Sequence, residues 1–83
     1  MADKITVSVT LRSILSKYRP NPKDRTPFAV ELDAGATVAD VLAARGVPPK
    51  IAHLVFVDRV RRDHDTVLHN GASLDIYPPI AGG

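Results

Sequence analysis

Ile5, Val7 and Val9 alternate with Thr6, Ser8 and Thr10. Alternation at period two predicts a half-buried strand with one apolar face. Leu11, Ile14, Leu15 and Tyr18 then fall at helical spacing and predict a short helical turn. From Arg19 to Pro27 the chain carries Pro20, Pro22 and Pro27 among polar residues, which predicts a loop. Phe28, Val30 and Leu32 alternate with Ala29 and Glu31 and give a second strand. Asp33-Ala34-Gly35-Ala36 is the turn out of it.

Thr37-Val38-Ala39-Asp40 reads as a capping box. The Thr37 hydroxyl can accept from the Asp40 N–H while the Asp40 carboxylate reaches back. Asp is shorter than the preferred Glu, so the first bond is the firmer expectation. Val38, Val41 and Leu42 form the buried stripe of a helix. Arg45 sits in its last turn, Gly46 is placed for a left-handed C-cap, and Pro48 and Pro49 prevent continuation. A helix of about two turns must be held by packing on a sheet. His53 to Val57 is a nearly continuous apolar run, as expected of a central strand covered on much of both sides, which assigns Leu54 to Val57 to the core. Asp58 to Arg62 predicts a turn and a short edge strand, Asp65 to Leu68 a single capped turn, and Asn70-Gly71 another turn. Ser73 to Tyr77 is the last strand, with Leu74 and Ile76 inward and Asp75 and Tyr77 outward. Strand, strand, helix, strand, short strand, strand is an α+β order of two layers. It fits a β-grasp domain: a mixed sheet of four to five strands packed on one short helix, the first and last strands side by side at its centre.

Eighty-three residues make a single domain, residues 1–83, able to bury about 60–65% of its unfolded surface. No cysteine is present, so disulfides, thiolate metal sites and cysteine nucleophiles are excluded within this chain. No apolar run approaches the roughly 18 residues of a membrane span. Met1-Ala2-Asp3-Lys4 leads straight into the alternating segment, so neither a signal peptide nor membrane association is expected, and the cytoplasm is favoured. The net charge of +2 is small, but the cations cluster. Arg12, Lys17, Arg19, Lys23 and Arg25 lie in one stretch, Arg59, Arg61 and Arg62 in another.

The chemistry lies at the end of the chain. Tyr77 is followed by Pro78-Pro79-Ile80-Ala81-Gly82-Gly83. Two prolines remove two backbone donors, so the last strand must stop there. Residues 78–83 then read as a flexible tail, with Ala81 to Gly83 expected to be disordered and Ile80 without a sheet partner. Two glycines make a terminus thin enough for a channel too narrow for other residues. A terminal carboxylate on Gly83, ionised at pH 7, is a latent nucleophile for the α-phosphate of ATP. The competing reading is an untethered chain end without chemistry.

Other constellations are weaker. Asp63-His64-Asp65 with His69 has suitable ligand types but no metal-site spacing, so these read as solvated turn residues and no metal is expected. His53 reads as a strand-end residue. The basic clusters read as solvated surface or a protein-docking patch. The four aromatics are Tyr18, Phe28, Phe56 and Tyr77, and with Phe28 and Phe56 assigned to the core no stacking platform for nucleic acid remains.

The chain resembles the MoaD/ThiS family of ubiquitin-like sulfur carriers. The resemblance is carried by Phe28 to Leu32, Gly35 to Leu42 with Gly46-Val47-Pro48, Leu54 to Val57, Asp65 to Leu68 with Asn70-Gly71, and above all Tyr77 to Gly83. The Pro-Pro and the length are similar to the molybdopterin-synthase small-subunit branch. Three positions depart from the pattern: Asp58-Arg59 stands at a tight turn that is usually Asn-Gly, Gly71-Ala72 where Gly-Asp is usual, and Arg61 on an outward face that tends to be apolar in that branch. The resemblance implies a carrier and co-substrate, or the small subunit of a molybdopterin-synthase-like enzyme, with no catalyst of its own. The Gly83 carboxylate would be adenylated by a MoeB/ThiF-like activating enzyme using ATP, converted by a sulfur donor to a thiocarboxylate, and delivered to a MoaE-like or other acceptor synthase. No processing protease is expected, and no cofactor is bound by the chain itself. Pro78, Pro79, Ile80, Ala81 and Gly82 would thread the activating enzyme, Thr10, Arg61 and Tyr77 would face the partner, and the free protein would be a monomer. Two alternatives stay open: a protein modifier conjugated through Gly83, and a β-grasp binding module with an inert tail.

Overall fold

A computed structural model describes residues 3–79. Five strands form one mixed sheet: β1 Lys4–Leu11, β2 Phe28–Asp33, β3 Leu54–Val57, β4 Val60–Arg61 and β5 Ser73–Tyr77, in the order β2-β1-β5-β3-β4. β1 and β5 pair in parallel at the centre, and every other neighbouring pair is antiparallel. A single α-helix, α1 Val38–Arg45, covers one face. The ubiquitin-like β-grasp architecture expected from the pattern is therefore present.

Period two decides which face is covered. Ile5, Val7, Val9 and Leu11 of β1, Val30 and Leu32 of β2, Val55 and Val57 of β3, and Leu74 and Ile76 of β5 are all buried. They meet Val38, Val41 and Leu42 of α1. Burying each of those helix side chains is worth about 1.5–3 kcal/mol, which holds a helix too short to persist alone.

The termini of α1 are closed as the sequence predicts, with one reversal of emphasis. The Asp40 carboxylate accepts from the Thr37 N–H at 2.8 Å, so the return bond is firmly made despite the shorter side chain. At the other end Gly46 takes φ +70°, and Val47 N–H bonds back to Leu42 O at 2.8 Å. Positive φ is why glycine stands there.

Four expectations are corrected. The short helical turn is present as a 3-10 helix, Ser13–Tyr18, but it starts later than expected, because Leu11 continues β1, and Ile14 is 63% exposed. Asp65 to Leu68 forms no helical turn. A carbonyl of this segment serves α1 instead, Thr66 O accepting from Val38 N–H at 3.1 Å, and just before it His64 O accepts from Ala39 N–H at 2.8 Å. Those amides have no partner within the helix, so an extended neighbouring segment satisfies them. β3 is not the central strand but lies second from the edge, between β5 and β4. Finally, Leu54 and Phe56 do not enter the core. They sit half-buried on the opposite, outer face.

Candidate functional site

The outer face of the sheet is where β5 ends, and register fixes its neighbours. Across the strands runs Thr10 opposite Asp75, Asp75 opposite Phe56, and Phe56 opposite Arg61. In the adjacent row Tyr77 lies opposite Leu54. The three residues expected to face a partner, Thr10, Arg61 and Tyr77, thus share one face. They differ in what they can offer. Arg61 is exposed and Tyr77 is 36% exposed, whereas Thr10 is only 8% exposed and presents little area.

Tyr77 is the fixed point from which the tail departs. On one side its carbonyl accepts from His53 N–H at 2.9 Å. On the other, Arg12 N–H donates to Ile76 O at 3.0 Å. The backbone is therefore tied to both neighbouring strands up to this residue. The ring is held as well. Phe56 meets it edge to face, with centroids 5.8 Å apart and planes at 84°, and the Arg12 guanidinium lies 5.7 Å from its centroid. Arg12 is itself aimed by Asp75, its Nη2 donating to Oδ1 at 2.7 Å, and this bond strengthens its hold on its proton. Edge-to-face packing and the cation over a ring each favour one ring orientation.

Beyond Tyr77 come Pro78 and Pro79, which have no N–H to continue a ladder. Gly83, Gly82, Ala81 and Ile80, with the disorder expected of the last three residues, lie outside the described residues. The arrangement described centres on the end of β5. It gathers an aromatic pair, two arginines and a carboxylate around the strand end, and nothing in it resembles a nucleophile with its base.

Arg12, Phe56 and Asp75 belong to this cluster, and the sequence reading placed none of them in it. Arg12 could have been found, since it continues the outward phase of Thr6, Ser8 and Thr10. Phe56 could not, because Leu54-Val55-Phe56-Val57 contains no polar residue to mark which face is which.

The histidines expected to be turn residues are each engaged. His64 Nε2 lies 2.8 Å from Ala52 O, and His69 Nε2 lies 2.6 Å from Asp58 Oδ2. Among the described residues no three His, Asp or Glu side chains come together to hold a metal, and no helix is long and apolar enough to cross a membrane. His53 stands at the head of β3 with its N–H on Tyr77, a strand-end residue as expected.

No protein-family model matches the sequence, and no curated protein matches it. Solved structures do. The solution structure of the HVO 2177 protein of Haloferax volcanii superposes with a TM-score of 0.74 at 18% identity, over 96% of this chain and 88% of that one. SAMP1 from Haloferax volcanii gives 0.68 at 21% identity, over 94% and 99%. A putative molybdopterin converting factor, subunit 1, from Pyrococcus furiosus gives 0.69 at 17% identity, over 92% and 99%. At these identities the likeness is one of fold, the ubiquitin-like β-grasp.

Proposed function

We propose that the protein is a sulfur carrier. The observation that carries the reading is a central strand tied on both edges through Tyr77, followed at once by Pro-Pro and a Gly-Gly end. A carrier must hold its reactive group at a fixed origin and still let it enter another protein's active site, and positioning of that kind removes much of the entropic barrier. The fold shared with a putative molybdopterin converting factor subunit supports the same reading.

In this proposal the Gly83 carboxylate attacks the α-phosphate of ATP within a MoeB/ThiF-like enzyme, giving an acyl-adenylate and pyrophosphate. Sulfide, from a donor at that oxidation level, then attacks the acyl carbon, the bond to AMP breaks, a proton is released, and a thiocarboxylate remains. A second enzyme, MoaE-like if the pathway is of the molybdopterin type, takes the sulfur and returns the carboxylate. The chain supplies no acid, base or oxyanion hole; it acts as co-substrate, in the cytoplasm and as a monomer between encounters. Tyr77, Phe56 and Arg61 offer the docking area. The same adenylate could instead end on a target lysine as an isopeptide, which is the modifier reading.

The test is incubation with an activating enzyme, ATP and a sulfur source, followed by intact-mass measurement. The expected gain is the mass difference between one sulfur and one oxygen, lost again on alkaline hydrolysis. No gain with a demonstrably active enzyme refutes the proposal, and covalent conjugates formed in place of thiocarboxylate support the modifier reading.

A further inference from the structure

A second feature lies in the segment between β1 and β2. The 3-10 helix and the proline loop enclose an open concavity of about 540 Å³. Arg12, Ser13, Ser16, Arg19, Lys23 and Arg25 line it. The Arg12 guanidinium is committed to Asp75 and Tyr77, which leaves three cations, Arg19, Lys23 and Arg25, beside two hydroxyls, with no carboxylate or aromatic ring in the lining.

This concavity is built rather than incidental. Arg19 is its clamp: Nε donates to Leu11 O at 3.0 Å and Nη1 to Pro22 O at 2.9 Å, while Nη2 also donates to Leu11 O. A guanidinium has five N–H donors, and these three bonds leave two for a ligand. The loop is folded by its own polar residues. Asn21 Oδ1 accepts from Lys23 N–H at 3.1 Å, and Asp24 Oδ1 accepts from Thr26 N–H at 2.9 Å and from the Thr26 hydroxyl at 2.6 Å. Asp24, between Lys23 and Arg25, is thereby turned to Thr26. Among the described residues neither Lys23 nor Arg25 has a carboxylate within ion-pair distance.

Lys23 and Arg25, like charges without a carboxylate partner held beside the Arg19 guanidinium, repel one another, and an anion relieves that repulsion. Guanidinium forks, an ammonium and hydroxyls are the donors that phosphate oxygens take. The shape separates the candidates. An extended polyanion needs a stripe, and single-stranded nucleic acid needs rings for its bases to stack on, whereas this site is a cup without aromatics. We propose that it binds a compact di- or triphosphate group, carried by free polyphosphate or by a nucleotide gripped through its phosphates. The site uses the loop between β1 and β2 and not the tail, so it stands or falls independently of sulfur transfer.

The intact protein should be titrated at about 150 mM salt, where weak surface attraction is largely screened. The probes are tripolyphosphate, ATP and adenosine, followed by amide chemical shifts. Tripolyphosphate and ATP should move Ser13, Ser16, Lys23 and Arg25, and adenosine should move none; a preference for one of the first two identifies the source. Lys23→Ala and Arg25→Ala should each weaken binding about five- to tenfold, the loss of one charge-assisted contact, while Arg62→Ala leaves it unchanged. Absence of shifts at those four amides, binding indifferent to both loop variants, or an acidic peptide or single-stranded RNA that displaces tripolyphosphate at lower concentration would each overturn the proposal.

Discussion

His69 donates from Nε2 to Asp58 Oδ2 at 2.6 Å, and its other ring nitrogen, Nδ1, lies 2.9 Å from Asn70 O. Both neighbours are acceptors, so only the doubly protonated imidazolium can donate to each. The bond to Asp58 accordingly raises His69 above the ordinary 6.5. The same bond, with that from Ser73 N–H, lowers Asp58 below 3.8.

The sign of the pH effect follows from these directions. A raised histidine gives stability that is full below about pH 6.5 and is lost as pH rises through the folded value. A lowered aspartate gives stability that is full above about pH 4 and is lost as pH falls through its folded value. The pair therefore stabilises most between those limits. Both groups are exposed, so the effect is small. Thermal melts should show a slight decline from pH 6 towards 8, at about the ordinary range of histidine titration. His69→Gln should remove that decline, and a His69 ring-proton titration with a midpoint at or below the ordinary value would refute the argument.

The turn that carries Asp58 gives a second prediction. Asp58 at φ +51° and Arg59 at φ +70° occupy the two-residue hairpin between β3 and β4, both in the left-handed region. A non-glycine residue costs roughly 1–2 kcal/mol there, against the roughly 0.5–1 kcal/mol that glycine's extra unfolded freedom costs. Arg59→Gly should therefore stabilise by about 0.5–1 kcal/mol in urea unfolding. Asp58→Gly should destabilise, because it also removes the bonds to His69 and Ser73.

Tyr77→Ala should separate docking from folding. It removes the ring that Phe56 and Arg12 contact, at a cost to stability of about 1–2 kcal/mol. Affinity for the activating enzyme should fall by about 1–3 kcal/mol in calorimetry, the range for an interface aromatic. Unchanged affinity would place the docking surface elsewhere.

Gly82→Ala tests the proposed chemistry itself. A Cβ in a channel sized for glycine should abolish adenylation, read as pyrophosphate release. Stability should change by less than about 0.5 kcal/mol, so that a lost reaction is a loss of chemistry and not of folding. Normal adenylation of this variant would show that no narrow channel is involved.

Most of the fold was legible because alternation and capping are local. β1, β2 and β5 declare their faces through Thr6, Ser8, Glu31 and Asp75, and Thr37, Asp40 and Gly46 bound α1. What was missed depends on partners distant in sequence. Phe56 was assigned inward until its register with Asp75 and Arg61 placed it outward. Asp65 to Leu68 looked like a capped turn because the use of Thr66 O, as acceptor for the Val38 amide, lies in another element. Thr10, Arg61 and Tyr77 were expected to face a partner, and the register puts the three on one face of the sheet. The centre of the site, Arg12 with Asp75, joins residues 63 positions apart, a separation over which local pattern carries no information.

The parallel pairing of β1 with β5 also bears on synthesis. β1 leaves the ribosome early, and β2 can pair with one of its edges. Its other edge must wait for residues 73 to 77, almost the whole chain. Until then the molecule lacks the middle of its sheet, and such non-local closure is slow. The element that presents the tail is thus also the last to complete the fold. A chain halted before Ser73 should show no hydrogen-exchange protection at the Arg12 amide, whose acceptor is Ile76 O, and it would have no assembled outer face around Tyr77. Closing the middle of the sheet and assembling the outer face around Tyr77 are therefore one event.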